Sequence, residues 1–121
     1  TRKHPMAFLR QRLAQTGVRT AADLARVPDG QEVSVAGAVL VRQHPSTAKG
    51  FVFLSLEDET GIANVVLTPQ VFAEYRRVAV SAAMLLVTGL LQNVEEVIHV
   101  RARSLRSLSI RVPAAPSRDF R

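Results

Sequence analysis

The sequence contains no cysteine. A disulfide framework, a cysteine-ligated zinc site and a thiol nucleophile are therefore excluded, and the composition fits a reducing cytoplasm. The three histidines, His4, His44 and His99, lie far apart, and no two of them have the spacing of metal ligands. Neither a Gly-rich phosphate loop nor a Ser-His-Asp pattern is present. We therefore expect no catalytic residues and no cofactor in this segment.

Long hydrophobic runs are absent as well. A membrane span needs about 18 apolar residues, and the most apolar stretch, residues 79–91, is interrupted by Ser81, Thr88 and Gly89. The first residues lack the apolar core of a signal peptide. Because the chain begins with Thr1 rather than Met, we expect it to be part of a longer protein. Its 121 residues, 47% of them apolar, suit one domain with a core and no membrane partner.

Positive charge is concentrated at the two ends of the chain. The net charge of +6 divides into +4 for residues 1–30, −3 for residues 31–100 and +5 for residues 101–121. Basic flanks on an acidic centre indicate contact with a polyanion at the edges of the domain. Basic tails without any target would give the same pattern.

The first 30 residues predict a helical lead-in. A short helix fits residues 4–17, where Pro5 suits the first turn and Gly17 the end. A second, shorter helix has Thr20 as its N-cap and Asp23 three positions later. A Pro-Asp-Gly turn then ends the region at residue 30.

From residue 31 the apolar residues alternate with a period of two, which predicts β-strands. The fourth of five predicted strands is apolar on both faces. Residues predicted to face inward are Val33, Val35, Gly37, Val39 and Val41 in the first strand, Val52, Leu54 and Leu56 in the second, Ala63, Val65 and Leu67 in the third, and Ile98, Val100 and Ala102 in the fifth. Gly37 and Gly89, in the middle of the first and fourth strands, predict bulges or bends.

Turn and helix signals separate these strands. Residues 58–61, Asp-Glu-Thr-Gly, predict a hairpin turn with its acidic side chains in solvent, in preference to a metal site. A helix starting at Pro69 is predicted after the third strand from the spacing of Val71, Phe72, Tyr75 and Val78. Asn93 is expected in the turn before the fifth strand, and residues 109–121 predict an irregular tail.

Five strands with a helix between the third and fourth is the order of an OB-fold barrel, an all-β fold with short helices. We therefore predict an OB-fold domain over residues 31–108. The periodicity alone leaves other small β-barrels open. In an OB-fold the ligand lies on strands two and three and on the loops that join strands one to two and four to five.

Residues 35–77 closely resemble the C-terminal OB region of error-prone, C-family bacterial DNA polymerases, the damage-inducible relatives of the polymerase III alpha subunit. The shared features are "VRQHPSTAKG", "LEDETGIAN" and the following Pro-x-x-Phe, and the flanks "HPMAFLR" and "SRDFR" also match. Thr68 departs from the family, which commonly has Trp there. The resemblance implies a DNA-directed DNA polymerase of translesion synthesis and DNA repair, in the bacterial cytoplasm at the nucleoid.

The resemblance also implies where the chemistry and the partners are. The family's carboxylates, which hold Mg²⁺, belong to a palm domain far upstream, so this segment is expected to be non-catalytic. An inactive Y-family-like adapter and, through it, the sliding clamp are the implied protein partners. Strands two and three also resemble, more loosely, the OB-type anticodon-binding domains of class II aminoacyl-tRNA synthetases. There an aromatic residue and an amide contact bases, and Phe53 and Asn64 match them.

These features define the candidate site for single-stranded or template DNA. Phe51 and Phe53 lie opposite the core face of the second strand and provide rings for stacking with bases, while Asn64 provides an amide for a base edge. Alternatively, Phe53 packs against a neighbouring domain or under the inserted helix. The predicted phosphate contacts are Arg42, His44 and Lys49 around the first loop, and His99, Arg101 and Arg103 on one face of the fifth strand.

For each of these basic residues, exposure to solvent is the alternative to a phosphate contact. The loop and strand residues would equally well face water, and Arg76 and Arg77 on the helix are expected to do so. Because residues 31–100 are net acidic, we expect weak, salt-sensitive binding of DNA by this domain alone. The alternative function is a protein-interaction module that docks the polymerase to its adapter and clamp.

Overall fold

The computed structural model describes residues 10, 13 and 16–108. Most of the helix predicted at residues 4–17, and the tail predicted at residues 109–121, lie outside the described residues. The elements are a 3-10 helix at Ala21–Arg26, β1 at Glu32–Gln43, a 3-10 turn at Ser46–Ala48, β2 at Val52–Asp58, β3 at Gly61–Leu67, α1 at Pro69–Glu74, α2 at Arg76–Ser81, β4 at Met84–Val94 and β5 at Val97–Ser107. No helix of the described part is long and apolar enough to span a bilayer.

The five strands form a closed barrel in the order β1-β2-β3-β5-β4. The β3–β5 pair is parallel and every other pair is antiparallel. With two short helices between β3 and β4, this architecture confirms the predicted OB-fold. The division into a lead-in, a domain and a tail stays a prediction.

The barrel interior is filled by aliphatic side chains that alternate along the strands. The alternation predicted for β2 and β3 is confirmed, since Leu54, Leu56, Val65 and Leu67 are all buried. In β5 the predicted inward residues Val100 and Ala102 are buried and Ile98 packs against the same cluster while partly exposed. Such burial, at about 25 cal/mol per Å² of apolar surface, is the main force that stabilises the barrel.

In β1 the alternation holds only for the first half of the strand. Val33 and Val35 are buried, but Val41 is exposed because the pairing with β2 shifts register between Val39 and Val41. A bulge or bend was predicted at Gly37, and the irregularity in the pairing with β2 lies between Val39 and Val41. Gly37 instead allows a close approach of strands, since a Cβ there would lie 2.7 Å from the carbonyl oxygen of Glu57.

The β4–β5 hairpin has its turn two residues later than predicted. Asn93 pairs with Ile98 inside the hairpin, and the turn consists of Glu95 and Glu96, which have φ values of 53° and 69°. Positive φ at both central residues is the geometry of a type I′ turn, whose twist suits a tight hairpin. Asn93 was expected in the turn because of its residue type, and the strand register overrides that preference.

The inserted helices cover one end of the barrel. Thr68 is buried and its hydroxyl accepts a hydrogen bond from the backbone N–H of Val71, so it is the N-cap of α1, with Pro69 in the first turn as predicted. The predicted apolar residues Phe72 and Tyr75 pack against the core. At position 68, where the polymerase family commonly has Trp, this chain therefore has a helix N-cap.

Asp58 is buried, which corrects the prediction that the acidic turn lies in solvent. Its side chain accepts hydrogen bonds from the backbone N–H of Thr60 (2.7 Å) and Gly61 (3.1 Å) and from the hydroxyl of Thr60 (2.8 Å). This is the Asx-type turn that aspartate favours. Gly61, with φ of 151°, adopts the positive φ predicted for it.

The same carboxylate joins the hairpin to the N-terminal segment. The backbone N–H of Ala21 donates to Asp58 at 2.7 Å, and Arg10 Nη2 lies 3.3 Å from it. Arg10 also pairs with Glu59 at 2.6 Å, and that hydrogen bond raises the pKa of the guanidinium. Thr20 caps the 3-10 helix with Asp23 in a capping box, as predicted, and the Thr20 hydroxyl lowers the pKa of Asp23.

Replacing Asp58 with Ala should lower the free energy of unfolding by about 3–5 kcal/mol, because several buried donors lose their acceptor and Arg10 loses a buried partner. Chemical denaturation monitored by circular dichroism measures the change. Glu74→Ala, at an exposed position of α1, is the control and should change stability by less than about 0.5 kcal/mol. Equal stability of the two variants would contradict the structural role of Asp58.

Candidate nucleic-acid interface

An open groove of about 570 Å³ lies across the outer surface of the barrel. It runs over β2, β3 and β5 and is bordered by the ends of β1 and β4, which is the ligand face expected for an OB-fold. Its lining comprises Val41, Gln43, Phe51, Phe53, Leu54, Ser55, Asn64, Val65, Val66, Gln92, Val97, Ile98, His99 and Arg101. Five of the nine predicted site residues therefore line this groove: Phe51, Phe53, Asn64, His99 and Arg101.

The strand register arranges these side chains in rows across the barrel. Phe53 pairs with Val66, and Val66 pairs with Arg101 across the parallel β3–β5 contact. Because both partners of a parallel pair advance together, the same register places Asn64 beside His99 two residues earlier. The first row thus presents the ring of Phe53 and the cation of Arg101. The adjacent row presents Asn64 and His99, polar groups that can bind a base edge.

The aromatic residues lie on the outside of the barrel, as predicted. Phe53 is half-buried and lines the groove, while its neighbours Val52 and Leu54 are buried in the core. Phe51, just before β2, is also half-buried at the groove. Phe53 lines the groove, and its packing against a neighbouring domain or under the inserted helix stays an alternative.

The amide and imidazole groups of the groove come from four strands: Gln43 from β1, Asn64 from β3, Gln92 from β4 and His99 from β5. Asn64 is exposed on β3. His99 on β5 is partly buried, and its Nε2 lies 2.8 Å from the Oε1 atom of Gln92 on β4. This pair holds the imidazole in place, and it leaves the Gln92 amide nitrogen as a donor for other partners.

Arg101 is the one cationic side chain among the described residues of the groove lining, and none of these lining residues is acidic. The seven acidic residues of the net-negative centre all lie outside this lining: Glu32, Glu57, Asp58, Glu59, Glu74, Glu95 and Glu96. The net charge of residues 31–100 therefore does not describe the charge of the groove.

Arg42 is directed to the inserted helices and not to the groove. Its Nε donates to the carbonyl oxygen of Ala79 at 2.8 Å, and its Nη2 donates to that of Ala82. These are among the last carbonyls of α2, which lack partners within the helix. The bulge between Val39 and Val41 turns the end of β1 and produces this arrangement.

Three more of the predicted phosphate contacts, His44, Lys49 and Arg103, are also outside the groove. His44 is exposed and contacts the ring of Phe72 edge to face, with 5.4 Å between ring centroids. Lys49 is exposed in the β1–β2 loop with φ of 54°. Arg103 forms an ion pair with Glu32, with 3.4 Å between its Nη1 atom and the Oε1 atom of Glu32, and both side chains are largely exposed. Contact of these residues with nucleic acid stays a prediction.

Sequence reasoning missed the residues that reach the groove from β1 and β4. Gln43 pairs with Phe53, and Gln92 pairs with His99. Their residue types are compatible with base recognition, but their position depends on pairing between strands distant in sequence. In the described part of the chain, no three His, Asp or Glu side chains are grouped so as to hold a metal ion.

Arg42→Ala should lower the free energy of unfolding by about 1–2 kcal/mol, since a charged donor to two helix-terminal carbonyls is lost. Thermal unfolding of the variant measures this. Arg77→Ala, which removes an exposed guanidinium from the same helix, should leave stability nearly unchanged. If the two variants unfold alike, the hydrogen bonds of Arg42 contribute nothing to the fold.

Comparisons with known proteins place these features in a family. Error-prone DNA polymerase 1 of Agrobacterium fabrum is 50% identical over 108 residues, which is 89% of this chain and 10% of that protein. Error-prone DNA polymerase of Anaeromyxobacter dehalogenans strain 2CP-C is 48% identical over 120 residues, 99% of this chain and again 10% of the relative. The chain thus spans about a tenth of the length of these relatives. The predicted resemblance to error-prone DNA polymerases is confirmed.

The fold is shared with a solved aminoacyl-tRNA synthetase. The asparaginyl-tRNA synthetase from Pyrococcus horikoshii superimposes with a TM-score of 0.64 at 19% identity, over 77% of this chain and 23% of the synthetase. Residues 33–108 match the family model described as OB-fold nucleic acid binding domain. The chain therefore belongs to the family of OB-fold nucleic acid binding domains.

Proposed function

We propose that the groove binds an unpaired strand of nucleic acid and that, within an error-prone DNA polymerase, it holds the single-stranded template DNA. The observation that carries the proposal is the position of Phe53 and Asn64, side by side with Arg101 in one open groove without acidic lining among its described residues. The similarity of nearly the whole chain to error-prone DNA polymerases supports DNA as the ligand.

The groove offers each part of a nucleotide a suitable contact. The ring of Phe53 stacks on a base, a contact worth about 1–3 kcal/mol by alanine substitution. The amide of Asn64 both donates and accepts hydrogen bonds, so it can bind a base edge exposed only in an unpaired strand. Arg101, next to Val66 in the same row as Phe53, binds the phosphate.

A single cation in the groove sets the expected strength and salt dependence. Each phosphate contact contributes about −0.7 to the slope of log K against log salt for a single strand. With Arg101 as the main contact, the isolated domain binds weakly, and the rest of the polymerase supplies most of the affinity. In this proposal the segment is non-catalytic, and Mg²⁺ with its carboxylates belongs to a palm domain outside it.

The parent protein would then act as a DNA-directed DNA polymerase in translesion synthesis and DNA repair, in the cytoplasm at the nucleoid. The OB-fold domain would keep the template strand extended ahead of the catalytic domain. Stacking and backbone contacts tolerate altered bases, because every base has an aromatic face. Such tolerance suits a polymerase that copies damaged templates.

Phe53→Ala should weaken binding of a fluorescent single-stranded oligodeoxynucleotide about 5- to 150-fold, because one stacking contact is lost. Fluorescence anisotropy at two salt concentrations measures the affinity. Asn64→Ala tests the same groove at an exposed position where the fold should not change. Leu40→Ala, at an exposed apolar position of β1 outside the groove lining, is the control and should bind like the wild type.

Unchanged binding by both Phe53→Ala and Asn64→Ala would overturn the proposed site. Binding that is tight and insensitive to salt would contradict the part assigned to Arg101. Circular dichroism spectra of all variants separate a loss of binding from a loss of structure.

Docking to an adapter and the sliding clamp is the second candidate function. It is favoured by Val94 and Val97, which flank the β4–β5 turn and are 63% and 65% exposed. Val94 is outside the groove lining, so Val94→Ser separates the two functions. Loss of adapter binding with intact DNA binding supports docking, and the reverse pattern in Phe53→Ala supports the template groove.

A further inference from the structure

A second, smaller hollow of about 100 Å³ adjoins the end of the groove. It lies between the end of β1 and the inserted helices, and it is lined by Arg42, Gln43, His44, Val52, Phe72, Ala79 and Val80. Gln43 lines both the groove and the hollow, so the two adjoin at this residue.

Phe72 brings two basic side chains together at this hollow. The His44 ring contacts Phe72 edge to face at 5.4 Å, and the guanidinium carbon of Arg76 lies 5.6 Å from the centroid of the same ring. The Arg76 contact is a cation–π interaction, which orients the guanidinium without neutralising it. Within the described part of the chain, Arg76 forms no ion pair with an acidic residue.

Arg42 adds a further positive charge beside them. Two of its nitrogens donate to the carbonyls of Ala79 and Ala82, but a guanidinium has five N–H donors, so others remain for a ligand. Arg42 and His44 thus line a hollow too small for a base with its sugar but open to a phosphate group. Arg76 lies over the ring of Phe72, which is itself part of the lining.

We propose that this hollow binds a phosphate group of the same single strand after the strand leaves the groove past Gln43. The inference rests on the proposed function of the groove and extends it by a second contact point, with Arg76 and His44 as the phosphate-binding residues. Arg76 was expected from the sequence to face water. The strand is favoured over an acidic protein segment because the hollow adjoins a groove suited to bases.

The arrangement favours binding because the cation is already in position. Arg76 is held against Phe72 before the ligand arrives, so less side-chain freedom is lost on binding than for an unrestrained surface arginine. Arg77, its neighbour on α2, is also exposed and, within the described part of the chain, forms no contact with an aromatic ring. The two arginines therefore form a matched pair for a test.

The experiment compares two lengths of oligothymidylate, of about four and about twelve nucleotides, within the range that OB-folds accommodate. The wild type, Arg76→Gln, His44→Gln and Arg77→Gln are titrated over a series of salt concentrations. We expect Arg76→Gln to weaken the longer ligand about three- to tenfold and to reduce its salt slope by about 0.7, with little effect on the shorter one. His44→Gln should show the same length dependence, and Arg77→Gln should bind both ligands like the wild type.

Other results would overturn the inference. Equal weakening by Arg76→Gln and Arg77→Gln would mean that only the general charge of the helix matters. An unchanged affinity of Arg76→Gln for the longer ligand, while Phe53→Ala loses affinity for both lengths, would refute the hollow and keep the groove. Failure of the wild type to bind either ligand would refute the proposed function, and this extension with it.

Discussion

The parallel contact between β3 and β5 is the constraint on which the site depends. It pairs Val65 with Val100 and Val66 with Arg101, and it closes the barrel. Because Val65 and Val100 are both fully buried, the contact is fixed by core packing. The residues that follow each valine then point outward together, so that the groove acquires its cation beside Val66 and Phe53. A slip of one residue would exchange the core and groove faces of β5.

Closure requires a close approach of β4 to β5 that only glycine permits. A Cβ at Gly89 would lie 2.1 Å from the carbonyl oxygen of Arg101, and the β4–β5 register shifts between Thr88 and Gly89. The bulge predicted at this glycine is thus confirmed. Arg101, whose carbonyl oxygen makes this contact, is also the cationic residue of the groove lining. Barrel geometry and the position of the cationic residue in the groove are therefore linked at one point of the backbone.

The sequence was sufficient to predict the parts of the site that lie within one hairpin. In β2 and β3 the strict alternation of apolar residues placed Phe53 and Asn64 on the outer face, because successive side chains of a regular strand point to opposite faces. Prediction failed where that regularity is interrupted, as at the bulge that turns Arg42 toward the helices. It also failed where the neighbour is distant in sequence: the buried environment of Asp58 is created by Ala21 and Arg10, and no local pattern reports them.

Three of the seven acidic residues of the central segment form ion pairs, so its net charge of −3 is a weak argument against nucleic-acid binding. Asp58 and Glu59 are compensated by Arg10, and Glu32 lies beside Arg103. At a surface, such pairing leaves little field beyond about 8–10 Å at physiological salt. The local arrangement of basic side chains differs from that average: Arg101 lines the groove, Arg42 and His44 line the adjoining hollow, and Arg76 lies over the ring of Phe72. A domain with a negative central sequence can therefore present a positive path, because the acidic residues stabilise turns and ion pairs while the basic ones border the groove.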